Sequence, residues 1–291
     1  MEREEKSIWV KFGSIFAIII MVGSATIGVM MLTGWGSDKT KAYPFSDVPG
    51  THVNFTFTNI KDGVKYLPDG ASQISCFTTN ASINASMSAS FPGFEASKVL
   101  VAYYPTGALE YYQIKTERNV SIMINGSKPT YENYDNYNII RISPVQRVIV
   151  GSPIIIASLS NYANDSNLAR RAVDVLTGFS GGSKDFDPIL AYADNVSDFT
   201  EMVVSKSTGS GYSMLYQRSG VLANGTIQLE TIVYGPSSKV RTDLNEMAAG
   251  DSATFRVSED GSMIKLYIES NDQVSYALAA NNLYAVINQL G

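Results

Sequence analysis

The sequence predicts an α+β protein with a single N-terminal transmembrane helix. A β-rich ectodomain follows, ending in an antiparallel sheet with packed helices. Three features carry this expectation: a long charge-free run near the N-terminus, a succession of short β-branched and aromatic segments, and strand patterns alternating with helix patterns in the last third. The implied organisation is a short cytoplasmic tail (1–11), a transmembrane anchor (12–35), a stalk (36–50), a mainly-β subdomain (51–160) and an α+β subdomain (161–291).

The anchor rests on length. Phe12–Ser37 holds 26 residues without a charge, and about 20 apolar residues in a helix cross the hydrocarbon layer. Trp9 and Trp35, the only tryptophans, bracket the run, where indoles settle at the headgroup level. A signal peptide cut after Ala25 fits less well, because the apolar run continues to Leu32. A pilin-type cut after Gly13 lacks the usual charge before the glycine, where Phe12 stands. Small residues four apart, Ser24 with Gly28 and Gly13 with Ala17, allow close helix–helix approach.

Topology follows from the sequons. Asn-x-Ser/Thr occurs eight times, at Asn54, Asn80, Asn84, Asn119, Asn125, Asn164, Asn195 and Asn224, and every one lies beyond the anchor. An occupied sequon carries a bulky polar glycan and must sit on the surface. The expected location is therefore the cell membrane, single-pass, with the N-terminus cytoplasmic and the bulk of the chain outside as a cell-envelope glycoprotein. One cysteine, Cys76, excludes an intrachain disulfide. Sequons without disulfides point to an archaeal type of cell surface, since extracellular domains elsewhere are commonly cross-linked. The net charge is −5 with no Lys/Arg block, which removes the electrostatic basis for nucleic-acid binding.

Beyond Pro44 and Pro49 of the stalk, strand patterns fall at 52–58, 73–79, 98–104, 109–115, 120–124, 137–142, 147–150 and 154–159, with a short turn or helix at 61–66. Residues 80–94, rich in Ser, Ala and Asn, read as a loop. A helix at 164–176 is closed by Gly178. Strands at 200–207, 212–219 and 226–234, a helix at 239–249, a hairpin of 253–258 with 263–270 around Asp260-Gly261, and a final helix to about Gln289 complete the order βββ-α-ββ-α.

Chemistry is sparse. His52 is the sole histidine, so a His-based triad or a multi-histidine metal site has little to draw on. Gly178-Phe179-Ser180-Gly181-Gly182 matches the nucleophile-elbow spacing, but a helix precedes it where the elbow needs a strand. Asp185 and Asp187 lack a calcium-loop pattern and are expected as solvated turn carboxylates. Tyr131, Tyr134 and Tyr137, interleaved with Asn133, Asn136 and Asn138, offer the rigid-aromatic and adaptable-amide chemistry of a binding loop; tyrosines packed back on the domain are the simpler expectation.

Neither cofactor nor metal is implied. The expected function is a non-catalytic, membrane-anchored envelope glycoprotein, a structural or interaction subunit of a surface or membrane assembly. Its partners are membrane lipid, N-linked glycans and other envelope or membrane subunits. The alternatives are a ligand- or glycan-binding adhesion module and, least favoured, a surface hydrolase using Ser180 or the Asp185/Asp187 pair.

Overall fold

The computed structural model describes residues 40–125, 128–159, 167–209, 211–222, 224–250 and 255–290. The first half contains β1 (Thr40–Pro44), a 3-10 turn (Phe45–Asp47), β2 (Val53–Asn54), α1 (Ile60–Gly63) running into a 3-10 turn (Val64–Tyr66), β3 (Gln73–Thr78), α2 (Ala81–Ser88), β4 (Ala96–Tyr104), β5 (Gly107–Ile114), β6 (Ser121–Asn125), β7 (Thr130–Tyr134), β8 (Tyr137–Ser143), β9 (Gln146–Ile149), β10 (Gly151–Ser152) and β11 (Ile154–Leu159). The second contains α3 (Asn167–Leu176), α4 (Asp187–Leu190), β12 (Glu201–Lys206), β13 (Met214–Val221), β14 (Ile227–Tyr234), α5 (Ser238–Gly250), β15 (Phe255–Asp260), β16 (Met263–Ser270) and α6 (Gln273–Leu290).

The α+β expectation is overturned. Among the described residues strand outweighs helix, 41% to 26%, and twelve strands form one antiparallel sheet in the order β15-β16-β14-β13-β12-β3-β4-β5-β11-β9-β8-β7. The physical cause lies at the junction of β3 with β12. Ile74, Ser75, Cys76 and Phe77 of β3 are all buried, so this strand needs neighbours on both sides as well as cover on both faces. β4 takes one side and β12 the other, pairing Met202 with Cys76 and Val203 with Ser75. Strands from both expected subdomains thus share one sheet. Among the described residues no helix is long and apolar enough to cross a membrane; the expected anchor, 12–35, lies outside them.

Residues expected as stalk belong partly to the body. β1 pairs antiparallel with β6, and Phe45 is fully buried with Phe91 edge-on to its ring. The stretch expected as a loop, 80–94, contains α2, capped where the Asn80 side chain accepts from the Ile83 amide at 3.0 Å. The expected Tyr/Asn loop is the β7–β8 hairpin. Asp135 and Asn136 take φ of 47° and 65° at its two-residue turn, the conformation such tight hairpins require and that Asn and Asp tolerate.

Each sheet face has its own cover. The front face carries one core across the middle of the sheet, including Ile74, Cys76, Leu100, Tyr111, Ile155, Met202 and Tyr216, closed by α1, α3 and α4. The back face carries two cores. Phe45, Met87, Phe91 and Val120 pack on β4, β5 and β11 in the first half; α5 and α6 pack on β14–β16 in the second. Between the back cores the sheet centre is more polar, with Gln73, Ser75, Glu201, Ser205 and Gln217 on the same side.

Candidate functional site

Strand register builds the front-face site. One ladder row crosses all twelve strands: Glu132, Ile139, Ile149, Ile155, Tyr111, Leu100, Cys76, Met202, Arg218, Glu230, Tyr267 and Arg256. It is apolar from Ile139 to Met202 and ionic from Arg218 onward. Arg218 and Glu230 face each other on β13 and β14, bonded at 2.8 Å, and both are buried. Lys265, diagonal to Glu230 on β16, reaches it at 2.8 Å.

A crossover strap between α3 and β12 completes this network. Lys265 donates to Asp194 at 2.7 Å and to the Tyr192 carbonyl at 3.0 Å. The Tyr267 hydroxyl donates to Asp194 at 2.9 Å, and the Asp194 amide donates to Glu230 at 3.2 Å. Farther along the strap, Asn59 donates to the Val196 carbonyl at 3.0 Å and Lys61 to the Ala193 carbonyl at 2.7 Å. Two cations and two carboxylates balance. Burial acts to raise the Asp194 carboxyl, but hydrogen bonds from Lys265 and Tyr267 hold it below its ordinary value. Burial likewise acts to lower Lys265, and its partners Asp194, Glu230 and Tyr267 outweigh that and raise it. Each charge has an opposite neighbour, and together they hold the strap to the sheet. Sequence reasoning missed it, because Arg218, Glu230 and Lys265 meet only through register; three isolated charges inside apolar strand patterns were the available signal.

The second buried polar feature is on the back face. Glu110 of β5 is 1% exposed, and Tyr112, two residues along the same face, donates its hydroxyl to Oε2. Burial pushes the Glu110 carboxyl up to about 7, with the Tyr112 bond only partly opposing it. Its row continues through Val101, Ser75, Val203 and Gln217 to Thr231. Burial also raises Glu201, on β12 in this central band.

The residues singled out by sequence fall elsewhere. Tyr137 is buried in the front core. Tyr131 packs against the first back core. Tyr134 donates to Asp174 at 2.8 Å and lies under the Arg170 guanidinium. The three tyrosines fasten the hairpin to the body. Ser180 is exposed in the turn after α3, its amide bonded to the Asp174 carbonyl at 3.0 Å. Asp185 accepts from the Gly70 amide at 2.6 Å and from Lys206 at 3.2 Å, while Asp187 opens the one-turn α4; the two carboxylates serve separate contacts. His52 contacts the Val48 carbonyl at 2.8 Å and the Glu117 carboxylate. Cys76 is buried, and burial pushes its thiol up to about 12. Among the described residues no group of three or more His, Cys, Asp or Glu could hold a metal ion.

The sequons sort by their side-chain atoms. Asn54, Asn80, Asn119, Asn195 and Asn224 are exposed. In three of them the amide oxygen is engaged: Asn80 accepts from Ile83 N, Asn195 from Asn59 Nδ2 and Asn224 from Thr226 N. Those bonds leave the nitrogen, the atom that a glycan takes, outside the interaction. Asn84 is half-buried and uses both ends, donating to the Ala96 carbonyl at 3.3 Å and accepting from the Ala96 amide at 3.0 Å. Asn164 and the side chain of Asn125 lie outside the described residues.

Comparison with known proteins adds little. No family model matches the chain, and no curated protein matches it. A solved structure, crystal form I of TP0453, aligns over 79% of this chain and 98% of its own at 9% identity and a TM-score of 0.42, a likeness on which nothing further is built.

Proposed function

We propose that this chain is a non-catalytic envelope glycoprotein: an extracytoplasmic β-sheet body, tethered at the membrane through its charge-free run Phe12–Ser37, acting as a structural or interaction subunit of a surface assembly. One observation carries the reading. The sequon asparagines at five positions are exposed, and where their amides bond internally it is through the oxygen. Attachment at these sites leaves the described hydrogen bonds intact.

The fate of the chemically capable residues supports the non-catalytic part. His52, Asp185 and the Arg218–Glu230–Lys265–Asp194 network are all engaged in fastening one segment to another. A sheet welded across twelve strands is a rigid platform, which suits a subunit that presents surfaces to others. The test is extraction of the native protein from its membrane in mild detergent, followed by measurement of particle mass. A particle holding more than one polypeptide is expected. A lone chain with no companion contradicts the assembly reading.

A further inference from the structure

The two faces of the sheet treat their acids differently. On the front, Glu230 and Asp194 face Arg218 and Lys265. On the back, three consecutive rows run from β13 to β5, those of Leu215, Gln217 and Ser219. They contain Glu201 and Glu110 but no Lys or Arg, and neither α2 nor α6 of the two back cores carries one. Among the described residues neither carboxyl forms an ion pair, and burial raises both. Oε1 of each is buried without a hydrogen-bond partner, as is Nε2 of Gln217, diagonal to Glu201 on the next strand. Glu110 is 1% exposed. A buried carboxylate with an open lone pair and no counter-charge is costly, and a positively charged N–H donor offsets that cost best.

Register and electrostatics join the two acids into one site. Glu201 on β12 and Glu110 on β5 stand three strands apart, about 14 Å at the usual strand spacing. Tyr103 of β4 is within reach of both: burial first, then the charges of Glu110 and Glu201, push its hydroxyl up to about 12. From the other side Tyr284 of α6 also feels the charge of Glu201. The ground between the acids is apolar, with Phe77 and Val99 in the row of Glu201 and Val101 beside Glu110. Gln73, Val203 and Ser205 are half-buried, so the band opens to solvent between the two back cores.

We infer that this band binds a linear aliphatic polyamine, with one ammonium at Glu201, another at Glu110 and the methylenes over Phe77, Val99 and Val101. Three features select that chemistry. The site is acidic and contains no cation of its own, so charge complementarity calls for a positive ligand. The acids stand too far apart to share one metal ion, whose oxygen ligands lie at about 2.0–2.6 Å, but they match cations at the two ends of one chain. The apolar ground between them receives methylenes, where the hydroxyls of a sugar would go unpaired. The site does not depend on the assembly reading above, and either stands if the other falls.

The test is calorimetric titration of the full chain with spermidine at about pH 8, where a Glu110 carboxyl at about 7 is ionised and aliphatic amines keep their charge. One saturable site per chain is expected. Glu201→Gln and Glu110→Gln are each expected to weaken binding at least about tenfold. Glu95→Gln, which changes an exposed acid paired with Lys115, is expected to leave it unchanged. Butylamine, with a single ammonium, is expected to bind at least about tenfold more weakly than spermidine, and butanediol not at all. Glu201 is half-buried at the open end of the band, so its variant decides the matter even where Glu110→Gln fails to fold. Absence of saturable binding, undiminished affinity in Glu201→Gln, or butanediol binding as tightly as spermidine overturns the inference. An equal loss in Glu95→Gln assigns the heat to general attraction toward a chain of net charge −5, and overturns it too.

Discussion

In the first half of the sheet the front-face row reads Ile139, Ile149, Ile155, Tyr111, Leu100, Cys76; in the second it reads Met202, Arg218, Glu230, Tyr267, Arg256. The connectivity on either side is alike. A three-stranded meander (β3-β4-β5, or β12-β13-β14) is followed by an excursion. A strand then docks antiparallel beside the meander's third strand (β11 or β16), its outer neighbour being β9 or β15, and a helix follows. The helices part company there. α3 joins the front core, whereas α6 joins the back. Among the described residues the second half has the strap, with its one-turn α4, to close its front face, and so short a cover cannot bury a wide apolar surface. Charges fill that place instead, fixed by opposite partners. Similar connectivity thus yields a two-sided apolar sandwich in one half and an ion-locked cover in the other.

Breaking the lock tests that difference most strongly. Glu230→Ala takes the bonded carboxylate from Arg218, which is 3% exposed, and one of two carboxylates from Lys265, and a buried network that loses one partner costs about 3–5 kcal/mol. Urea unfolding is expected to show that loss, with new proteolytic cleavage inside the strap at 187–199. A loss under about 1 kcal/mol would mean the strap is held by its apolar contacts instead.

The back face gives an effect of about 3 kcal/mol through pH. The Glu110 carboxyl stands at about 7 in the folded chain against an ordinary 4.5. The folded state therefore holds an extra proton between those values. This contribution to stability is fully present below about pH 4.5 and is lost as pH rises toward 7, by about 3 kcal/mol in total. Glu110→Gln is expected to flatten that part of the stability profile. A profile that is unchanged by the substitution breaks the account of Glu110 as a buried, uncompensated acid. Smallest is the cap: Asn80→Ala is expected to cost about 1 kcal/mol in thermal unfolding, because it removes the acceptor for Ile83 N at the start of α2.

Much of the strand and helix pattern is legible locally. The segments 154–159 and 263–270 coincide with β11 and β16, and Gly178 ends α3 in the left-handed region, at φ 76°. What escapes is whatever depends on pairing between distant segments. Nothing within Gln73–Thr78 announces that Glu201–Lys206 will lie beside it, so two subdomains were expected and strands of both share one sheet. α2 was hidden because Ser and Ala suit loops as well as helices, and only the Asn80 cap decides. In the hairpin Tyr134 lies against Arg170 and Asp174, Tyr137 is buried in the front core and Tyr131 packs on the first back core. The candidate site was the least legible, since Arg218, Glu230, Lys265 and Asp194 come together from four separate elements or loops.

Glycopeptide mass mapping of the protein isolated from its native membrane decides whether this body lies outside the cytoplasm as a glycoprotein. Glycan is expected at Asn54, Asn80, Asn119, Asn195 and Asn224, with Asn84 bare because both ends of its amide are held by Ala96. Unmodified asparagine at every one of the five exposed sites would contradict the account.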